Sequence, residues 1–487
     1  MELTQLLNSI HAIQVTGEVQ RKDVGGIFYD SRRVKANSIF VAIKGYNTDG
    51  HKYIMDAVNN GAIAVVIEDA DAVPEEILMH TLTARILVKD TRRALAELSH
   101  SFYKEPSKKL KLTGITGTNG KTTTSYYIKN ILETTGEKVG LLGTIANMVA
   151  DKVIPSSLTT PESNDLNELL LDMYSQGCTS AVMEVSSHSL VLNRVFALEF
   201  MAAVFTNLTV DHLDFHKNLD NYLDAKKILF DSLSESAFAI YNLDDERGSK
   251  IVKDTKAKKV SYGKNENADF QITDINFSLD GTNFKIKNNG SIYNVHTSLI
   301  GEFNAYNAAS AFTACACLGV NIATIIEGIR TTKQVPGRFE VIGTGSKKVI
   351  VDYSHTPDSL EKCLQAVNEI VKNEFPVYTV FGCGGNRDKS KRPVMGKIAA
   401  DNSTKAFVTS DNPRFEEPGD IIKDIVAGID KKNIEIIEDR KAAIVKAIKS
   451  AEDKSVIVIA GKGHEDYQII KDVKIHFSDK EIAEQCL

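Results

Sequence analysis

The sequence lacks several features that would place it in a specialised class of protein. In 487 residues there is no apolar run near the roughly 20 residues that a membrane-spanning helix needs, and no long block of lysine and arginine. The formal net charge is −6, so general binding to nucleic acid is not expected. Six cysteines do not make a disulfide framework in so long a chain, and none has zinc-ligand spacing. The sequence therefore predicts a protein with neither nucleic-acid binding nor membrane insertion.

The first residues also lack the pattern of a secretion signal. Glu2 is an early acid, and no basic stretch precedes an apolar core. Leu3, Leu6, Leu7 and Ile10 instead have the spacing of a short amphipathic helix. The cysteines are best explained as small buried side chains in a reducing compartment. The expected location is therefore cytoplasmic.

Short apolar runs alternate with helical patterns along the whole chain, which is typical of βαβ units. There is no internal repeat and no low-complexity tract. Two polar, proline-containing segments, 103–109 and 333–338, each precede a new apolar strand. At roughly 150 residues per domain, this length and these segments predict three domains. The predicted bounds are 1–106, 107–335 and 336–487.

A glycine-rich loop follows the first strand of the middle segment. Residues 110–115 alternate as a strand, Gly117-Thr118-Asn119-Gly120-Lys121-Thr122-Thr123 follows, and a helical pattern comes next. This order is that of a phosphate-binding loop, in which backbone N–H groups, a lysine and a hydroxyl meet phosphate and Mg²⁺. Ile115 stands where the common motif has glycine. A glycine-rich turn with a solvated lysine is the alternative, which the flanking strand and helix disfavour.

The string at 117–123 resembles that of the Mur ligase family and of its relatives, the folylpolyglutamate synthetases, which are ATP-dependent amide-forming enzymes. The resemblance extends over all three segments. It implies an α/β fold with a small N-terminal UDP-binding domain, a central phosphate-loop domain built on a parallel sheet, and a C-terminal Rossmann-like domain. ATP and Mg²⁺ are the implied cofactors.

The family resemblance also implies a catalytic and metal-binding set in the middle segment. Glu184 and His212 follow apolar strands, and strand ends are where open α/β sheets bind ligands. Together with Thr122 they match the family's magnesium positions, and the lysine matching Lys226 is carbamylated in the family. The alternatives are a solvated strand end for Glu184 and a solvated helix residue for Lys226, with Lys227 as an ambiguity of register. The expected catalytic residues are Lys121, Glu184, His212 and Lys226.

The nucleotide site implied by the resemblance draws on the middle and last segments. Asn304 and Asn307 share one helix face, although helix capping is an equally simple role for Asn304. Arg338 and Asp352 would come from the last segment, which implies closure of that domain over ATP. The full set is Gly117, Thr118, Asn119, Gly120, Lys121, Thr122, Thr123, Asn304, Asn307, Arg338 and Asp352.

The first segment has no catalytic cluster of its own, and the resemblance gives it the UDP end of a UDP-N-acetylmuramoyl-peptide. Folylpolyglutamate synthetases lack this domain. Leu158 and Leu192 depart from residues often found in the family, which puts individual contacts in doubt. The expected contacts to the carrier are Tyr29, Ser31, Tyr46, Asn47, Thr48, Thr159, Thr160, Ser186 and Arg194.

Four apolar runs of the last segment each end in polar residues, which predicts a ligand edge at the carboxyl ends of a parallel sheet. One end, Asp411-Asn412-Pro413-Arg414, resembles the family's recognition motif for meso-2,6-diaminopimelate. This amino acid has a second carboxylate, which Arg414 can bind through two parallel N–H bonds. Facing lysine the guanidinium stays unpaired, which can reject that analogue by roughly 10⁴-fold or more; a surface turn is the alternative role. The expected acceptor contacts are Arg387, Asp411, Asn412, Pro413, Arg414, Gly461 and Glu465.

These assignments imply an ATP-dependent ligase of peptidoglycan precursor synthesis. The D-glutamate side chain of UDP-N-acetylmuramoyl-L-alanyl-D-glutamate would form an acyl phosphate, which the amine of meso-2,6-diaminopimelate would then attack. No partner beyond these substrates is expected, and the enzyme is expected to be a monomer. Two alternatives stay open: the same chemistry with lysine as acceptor, and a nucleotide-dependent switch or ATPase that binds a partner.

Overall fold

The computed structural model describes residues 1–45, 48–343, 346–372, 374–430 and 432–487. The strands in these ranges form three large sheets and one two-stranded sheet, and no sheet shares strands between the N-terminal, middle and C-terminal segments. The expected α/β class with three domains is confirmed. Among these residues no helix is long and apolar enough to cross a membrane.

The N-terminal domain is a five-stranded sheet covered by helices on both faces. Its central strand, Ala62–Ile67, is apolar along its whole length, as a strand buried on both faces must be. The elements are the strands β1 (Ala12–Thr16), β2 (Gly26–Phe28), β3 (Ser38–Val41), β4 (Ala62–Ile67) and β5 (Ala84–Val88), and the helices α1 (Leu3–Leu7), α2 (Ile54–Asn59), α3 (Glu75–His80) and α4 (Thr91–Phe102).

The strand order of this sheet is β1-β5-β4-β3-β2, with β1 antiparallel to β5 and the other pairs parallel. Helices α1 and α4 pack on one face and α2 and α3 on the other. The amphipathic pattern at the start of the chain does form a helix, and Leu3 and Leu6 are fully buried. Ile10 lies beyond the end of α1, so the helix is shorter than its pattern.

The central domain is built on a large mixed sheet whose middle is parallel. Its helices lie on both faces, so the sheet is buried between two cores. The elements are the strands β6 (Lys111–Thr116), β7 (Val139–Leu142), β8 (Ala146–Val149), β9 (Lys152–Pro155), β10 (Ser180–Glu184), β11 (Ala202–Phe205), β12 (Phe238–Asn242), β13 (Lys258–Gly263), β14 (Phe270–Ser278), β15 (Gly281–Asn288) and β16 (Ser291–Thr297), and the helices α5 (Lys121–Thr134), α6 (Ser163–Ser175), α7 (Ser187–Val191), α8 (Leu213–His216), α9 (Leu219–Asp231), α10 (Gly248–Ile251), α11 (Glu302–Cys317) and α12 (Ile322–Thr331).

The order of this sheet is β16-β15-β14-β13-β12-β11-β6-β10-β7-β8-β9. The seven strands from β14 to β7 are parallel, which confirms the expected parallel sheet, and antiparallel strands extend it at both edges. Strand β6 lies between β10 and β11, so the carboxyl ends of these three strands meet beside the glycine-rich loop.

The C-terminal domain is a six-stranded sheet with helices on both faces and a separate hairpin. Helices from 357 to 426 pack on one face and those from 440 to 486 on the other. The elements are the strands β17 (Glu340–Ile342), β18 (Lys348–Asp352), β19 (Val377–Phe381), β20 (Lys405–Val408), β21 (Ile434–Ile436), β22 (Val456–Ala460), β23 (Tyr467–Ile470) and β24 (Val473–His476), and the helices α13 (Pro357–Val371), α14 (Lys391–Asp401), α15 (Pro418–Val426), α16 (Arg440–Ser450) and α17 (Asp479–Cys486).

The order of this sheet is β17-β18-β22-β19-β20-β21, and only β17 is antiparallel to its neighbour. The four runs that were expected to end in polar residues are β18, β19, β20 and β22. They are adjacent and parallel, so their polar ends lie along one edge of the sheet.

Candidate active site

The glycine-rich loop between β6 and α5 is packed tightly against neighbouring elements. Gly117 and Gly120 have φ angles of +149° and +86°. A Cβ on Gly117 would lie 1.9 Å from Thr206 Oγ1, and one on Gly120 would lie 2.3 Å from Asn307 Oδ1. The backbone conformation therefore favours glycine at both positions, and at Gly117 the lack of space excludes a larger residue as well.

Lys121, the first residue of α5, folds back over this loop. Its Nζ donates to the carbonyl oxygens of Gly117 and Thr118 at 2.9 and 2.8 Å. Burial lowers the pKa of Lys121, and the nearby Arg338 adds to that effect. The ammonium thus lies at the mouth of a backbone loop that leads into a helix N-terminus, where an anion is favoured.

Glu184 lies at the end of β10 and is 1% exposed. Its Oε2 accepts from Thr122 Oγ1 at 3.0 Å, and Thr144 donates through its backbone N at 2.9 Å and its Oγ1 at 3.0 Å. A hydroxyl beside a buried carboxylate at a phosphate loop is a donor set that fits Mg²⁺, which takes few protein ligands and keeps phosphate and water oxygens. Among the described residues no group of three or more His, Cys, Asp or Glu is placed so that it could hold a metal ion.

Lys226 reaches the same loop from α9. It is 1% exposed, and its Nζ donates to the Gly117 carbonyl at 2.9 Å and lies 4.4 Å from the centroid of the Tyr222 ring. Burial, followed by the charge of Lys121, lowers the pKa of Lys226 well below its ordinary value. A buried amine with a depressed pKa can be neutral, which is the state that reacts with CO₂.

His212 stands among other rings beside Lys226. Its ring packs edge-on against His188 at 4.9 Å, and His216 stacks obliquely on Tyr222 at the same centroid distance. His216 Nε2 lies 2.9 Å from Ser187 Oγ, and burial lowers the pKa of His216 to about 4. The side chain of His212 is 44% exposed and its Nε2 is 3.4 Å from Asp211, so it can turn towards a ligand in the cleft.

The cleft between the central and C-terminal domains is a cavity of about 710 Å³. Arg338 crosses it, donating from Nη2 to Thr122 Oγ1 at 3.3 Å, and its guanidinium lies 4.4 Å from the centroid of the Tyr353 ring. Asn119 Nδ2 donates to Asp358 Oδ2 on α13 at 2.9 Å. Residues of the C-terminal domain therefore touch the phosphate loop directly.

Three other expected nucleotide contacts are fixed by local hydrogen bonds. Asn304 Nδ2 donates to the Ile300 carbonyl at 2.8 Å, and Asn307 Nδ2 donates to Asn304 Oδ1 at 3.1 Å. Gly301 occupies the cap of α11, so Asn304 is not the helix cap. Asp352 accepts from the backbone N of Phe339 at 2.7 Å and from the Ser354 hydroxyl.

The cavity brings together most, but not all, of the expected nucleotide and metal residues. Gly117 and Lys226 do not line it, because Gly117 packs against Thr206 after β11 and its carbonyl accepts from Lys226 of α9. The expected residues that line it are Thr118, Asn119, Gly120, Lys121, Thr122, Thr123, Thr159, Glu184, His212, Asn304, Asn307, Arg338 and Asp352.

The expected carrier contacts near the end of β10 form one cluster. Thr159 Oγ1 is 3.0 Å from Thr144 Oγ1, and Thr160 Oγ1 donates to the Glu184 carbonyl at 2.9 Å. Ser186 donates its backbone N to Thr160 Oγ1 at 3.1 Å. Arg194 Nη1 donates to the Thr160 carbonyl at 3.1 Å. This cluster borders the metal-binding candidates.

The expected carrier contacts on the N-terminal domain lie outside this cluster, and some of them already form hydrogen bonds with other protein groups. Tyr29 OH donates to Asp165 Oδ2 of α6 at 2.5 Å, so in this arrangement it joins two domains. Ser31 is buried, and Thr48 Oγ1 is 3.2 Å from Tyr53 OH. Tyr46 and Asn47 lie outside the described residues.

The expected acceptor residues form a separate group at the edge of the C-terminal sheet. Asn412 Nδ2 donates to Glu465 Oε2 at 2.9 Å, and Lys462 Nζ donates to the same oxygen at 2.9 Å. Arg414 is half buried and donates from Nη1 to the Gly385 carbonyl at 2.8 Å. Pro413 lies within the same turn, Arg387 is exposed near Arg414, and Gly461 packs against Asp411, where a Cβ would lie 2.9 Å from Oδ2.

Several residues at the site were not identified from the sequence. Thr144, which holds Glu184, follows the end of β7, so the strand-end rule could have found it. Asp358 and Lys462 stand in polar strings that follow strands; the partner of Asp358 is Asn119 of the middle segment, whereas Lys462 pairs with Glu465 in its own string and with Asn412 after β20. For His216, whose ring supports Tyr222, the sequence carries no local signal.

Three family models match successive parts of the chain. The model described as "Mur ligase family, catalytic domain" matches residues 23–103, "Mur ligase middle domain" matches residues 115–315, and "Mur ligase, glutamate ligase domain" matches residues 337–463. The three matches follow the order of the three sheets.

Similar proteins include one curated relative and two solved structures of particular interest. The UDP-N-acetylmuramoyl-L-alanyl-D-glutamate--2,6-diaminopimelate ligase of Clostridium botulinum is 44% identical, covering 100% of this chain and 99% of its own. A solved ligase of the same name is 31% identical, with a TM-score of 0.71 and coverage of 100% of this chain and 98% of that chain. The MurF ligase of Thermotoga maritima, solved with ADP, shares the fold at 20% identity and a TM-score of 0.63, covering 89% of this chain and 93% of that chain.

Proposed function

Since this chain belongs to the Mur ligase family, we propose that it joins meso-2,6-diaminopimelate to UDP-N-acetylmuramoyl-L-alanyl-D-glutamate at the expense of ATP, in peptidoglycan precursor synthesis. The likeness to the Clostridium botulinum ligase covers the whole chain, which supports the complete reaction rather than one part of it. Residues 1–106 would bind the UDP end, 107–335 the nucleotide and 336–487 the incoming amino acid. The three sheets offer one domain for each substrate.

The nucleotide site is proposed for the cavity between the central and C-terminal domains. Lys121 and the backbone N–H groups of the loop would bind the phosphates, and Arg338 would approach them from the opposite side. Thr122 and Glu184 are the side chains that would hold Mg²⁺, with His212 and a carbamylated Lys226 as further ligands. When bound, the metal supplies charge neutralisation on the phosphates.

The reaction we propose has two steps. The D-glutamate side-chain carboxylate attacks the γ-phosphorus of ATP, the bond to the β-phosphate oxygen breaks, and ADP leaves. The neutral amine of diaminopimelate then attacks the acyl phosphate carbonyl, and phosphate leaves with the bonding pair while the amine loses a proton. The chain contributes positioning and charge neutralisation, with no covalent bond to the protein. Thr159, Thr160, Ser186 and Arg194 border Glu184, where the carboxylate must arrive.

The choice of diaminopimelate as the incoming amino acid rests on the surroundings of the Arg414 guanidinium. It is half buried, and it forms no ion pair with any Asp or Glu of the described residues. Burial, followed by the like charge of Arg387, lowers the pKa of Arg414. A carboxylate on the ligand would satisfy both arginines, whereas the ammonium of lysine would add a third positive charge.

The test is phosphate release from ATP with each combination of substrates. We expect release only when both the UDP-linked dipeptide and an amino acid are present, with diaminopimelate preferred over lysine by about 10⁴-fold in kcat/KM. Equal use of lysine would overturn the choice of acceptor. Release without the UDP-linked dipeptide would instead favour a nucleotide switch or a plain ATPase.

A matched pair of variants ties this preference to Arg414. Arg414→Lys keeps the charge but loses the planar fork, so the preference for diaminopimelate should fall by about 100-fold or more. Arg330→Lys makes the same change in an exposed arginine that pairs with Glu327 far from the cleft, and it should leave both kinetic constants unchanged. If Arg414→Lys kept the preference, another residue would have to read the second carboxylate.

A further inference from the structure

Beside the two acceptor arginines a buried arginine, Arg392, pairs with a partly buried glutamate, Glu416, and the assignments above do not use this pair. Arg387 belongs to a loop, 384–387, which we call the arginine loop, and Arg414 belongs to a turn, 412–416, which we call the acceptor turn. Arg392, at the start of α14, follows the arginine loop, and Glu416 is the last residue of the acceptor turn. The two side chains meet below both segments.

The pair has the geometry of a strong, fork-shaped interaction. Arg392 is 0% exposed, and its Nη1 and Nη2 donate to Glu416 Oε2 and Oε1, both at 3.0 Å. The same guanidinium donates to Asp424 Oδ2 at 2.9 Å and to the Gly384 carbonyl at 3.3 Å. Arg392 therefore holds the first residue of the arginine loop and the last residue of the acceptor turn with one rigid group.

Further hydrogen bonds join the two segments side by side. The backbone N of Gly385 donates to the Asn412 carbonyl at 2.9 Å, and Arg414 Nη1 donates back to the Gly385 carbonyl at 2.8 Å. The backbone N of Asn386 donates to Glu416 Oε1 at 2.5 Å. A Cβ on Gly385 would lie 1.9 Å from the Pro413 carbonyl oxygen, so the two backbones approach as closely as glycine permits.

Both segments also hold a residue in the left-handed backbone conformation. Asn386 and Arg414 each have a φ of +52°, which asparagine adopts more readily than arginine does. Such residues keep this conformation only when their surroundings hold them in it. Asn386 is held by the contact of its backbone N with Glu416, which Arg392 fixes in turn. Arg414 is held by the β23–β24 hairpin, because its backbone N donates to the Ile469 carbonyl at 3.1 Å.

We propose that Arg392 and Glu416 are positioning residues that set the spacing of Arg387 and Arg414, and with it the preference of the enzyme for an amino acid with a second carboxylate. Neither residue touches the ligand. An ion pair that is shielded from water adds little stability compared with a well-packed apolar pair. What the Arg392–Glu416 pair offers instead is a fixed geometry, which a specificity site can use. This inference rests on the proposed function, since it concerns the same acceptor site.

The experiment compares kinetic constants of the full-length enzyme for diaminopimelate and lysine. Glu416→Gln keeps the shape of the side chain and removes its charge, and Arg392→Lys keeps the charge and removes the fork. Glu435→Gln is the control, because Glu435 pairs with Lys405 at 2.6 Å in the same domain, away from both segments. Thermal unfolding of each variant shows that the protein assayed is folded.

We expect Glu416→Gln to raise the KM for diaminopimelate about tenfold and to lower its preference over lysine by a similar factor, with the KM for ATP changed by less than about twofold. Arg392→Lys should act in the same direction, and Glu435→Gln should resemble the natural enzyme. A purely structural role would lower kcat and Tm while leaving the preference unchanged, and that result would overturn the inference.

Two further outcomes are distinguished by the same measurements. If the natural enzyme does not use diaminopimelate, the proposed function fails, independently of both variants. If Glu416→Gln unfolds below the assay temperature, Glu416→Asp takes its place, since it keeps the charge but cannot span both segments. An unchanged preference in a folded Glu416→Asp would then contradict the inference.

Discussion

At the scale of single residues, the side chain of Lys226 is distinguished by having no ion pair with an Asp or Glu of the described residues. It is buried, its Nζ has the Gly117 carbonyl as hydrogen-bond acceptor, and its nearest ring is that of Tyr222. Lys227, the next residue, instead pairs with Asp231 and Asp254 on the outside of α9. The two lysines are adjacent in sequence but occupy opposite chemical environments, so the buried one is the candidate for carbamylation.

We predict that Lys226→Arg lowers kcat by about 10³-fold, since a guanidinium stays charged and cannot take up CO₂. The measurement is steady-state phosphate release, together with the ¹³C resonance of a carbamate after incubation with labelled bicarbonate. Lys227→Arg is the matched control and should keep both the activity and the resonance. A fully active Lys226→Arg would show that the amine has no such role.

Glu416 allows a prediction about stability in acid. The hydrogen bonds from Arg392 lower the pKa of Glu416 to about 2 from its ordinary value of 4.5. The carboxylate therefore stabilises the fold fully above about pH 4.5, and this contribution is lost as the pH falls towards about 2. The difference in free energy of unfolding between the natural protein and Glu416→Gln should shrink over that range. Urea unfolding at stepped pH measures it, and a difference independent of pH would contradict the assignment.

At the scale of elements, the start of the last helix is held by a buried arginine that also faces Asp411, the residue before the acceptor turn. Asp479, the first residue of α17, is 0% exposed and accepts from Arg440 Nε and Nη2 at 2.8 and 2.7 Å. The remaining Nη1 of Arg440 lies 3.8 Å from Asp411 Oδ2. One edge of the guanidinium thus holds the start of α17, while the other end faces Asp411 without a hydrogen bond.

We predict that Asp479→Asn lowers the free energy of unfolding by about 3–5 kcal/mol, because it leaves the Arg440 cation buried without its main partner. Thermal and urea unfolding measure the loss. Glu484→Gln is the control on the same helix, since Glu484 is exposed and only approaches Lys480 at 4.0 Å. Equal stabilities of the two variants would mean that Arg440 finds another partner.

Helices and strands that follow from a local sequence pattern could be predicted. Features that depend on contacts between residues far apart in the sequence could not. The strands before Gly117 and Asp411 and the helix after the glycine-rich loop follow from short apolar runs and from glycine spacing. The antiparallel strand Gly281–Asn288, in one extension of the central sheet, has buried residues separated by more exposed ones over most of its length, and nothing local specifies its neighbour. The Arg392–Glu416 pair was missed for the same reason, since it is defined only once two loops are brought together.

At the scale of the whole molecule, contacts between domains decide how the expected residues are assembled. Tyr29 and Arg33 of the N-terminal domain both reach Asp165, 136 and 132 residues later in the chain. Asn119 reaches Asp358 across 239 residues. The sequence could place residues on strand ends within each domain, but it gave no means to predict these links, because nothing in the pattern of one domain specifies the surface of another.

The link between Asn119 and Asp358 supports a prediction about domain closure. It joins the phosphate loop to the first turn of α13, beside the contact of Arg338 with Thr122. Asp358→Ala removes the carboxylate that accepts this hydrogen bond. It should leave each domain intact and shift the population towards arrangements in which the central and C-terminal domains are further apart. Because a half-buried hydrogen bond to a carboxylate contributes about 1 kcal/mol, the KM for ATP should rise about fivefold.

Small-angle scattering of the nucleotide-free protein would detect the opening as a larger radius of gyration, and phosphate release would give the KM. Glu361→Ala, an exposed change on the same helix, is the control and should alter neither quantity. ATP in excess should bring Asp358→Ala back to the natural radius, because a ligand that contacts both domains favours the closed arrangement. An unchanged radius together with an unchanged KM would mean that the contact of Arg338 with Thr122 is enough to hold the C-terminal domain against the phosphate loop.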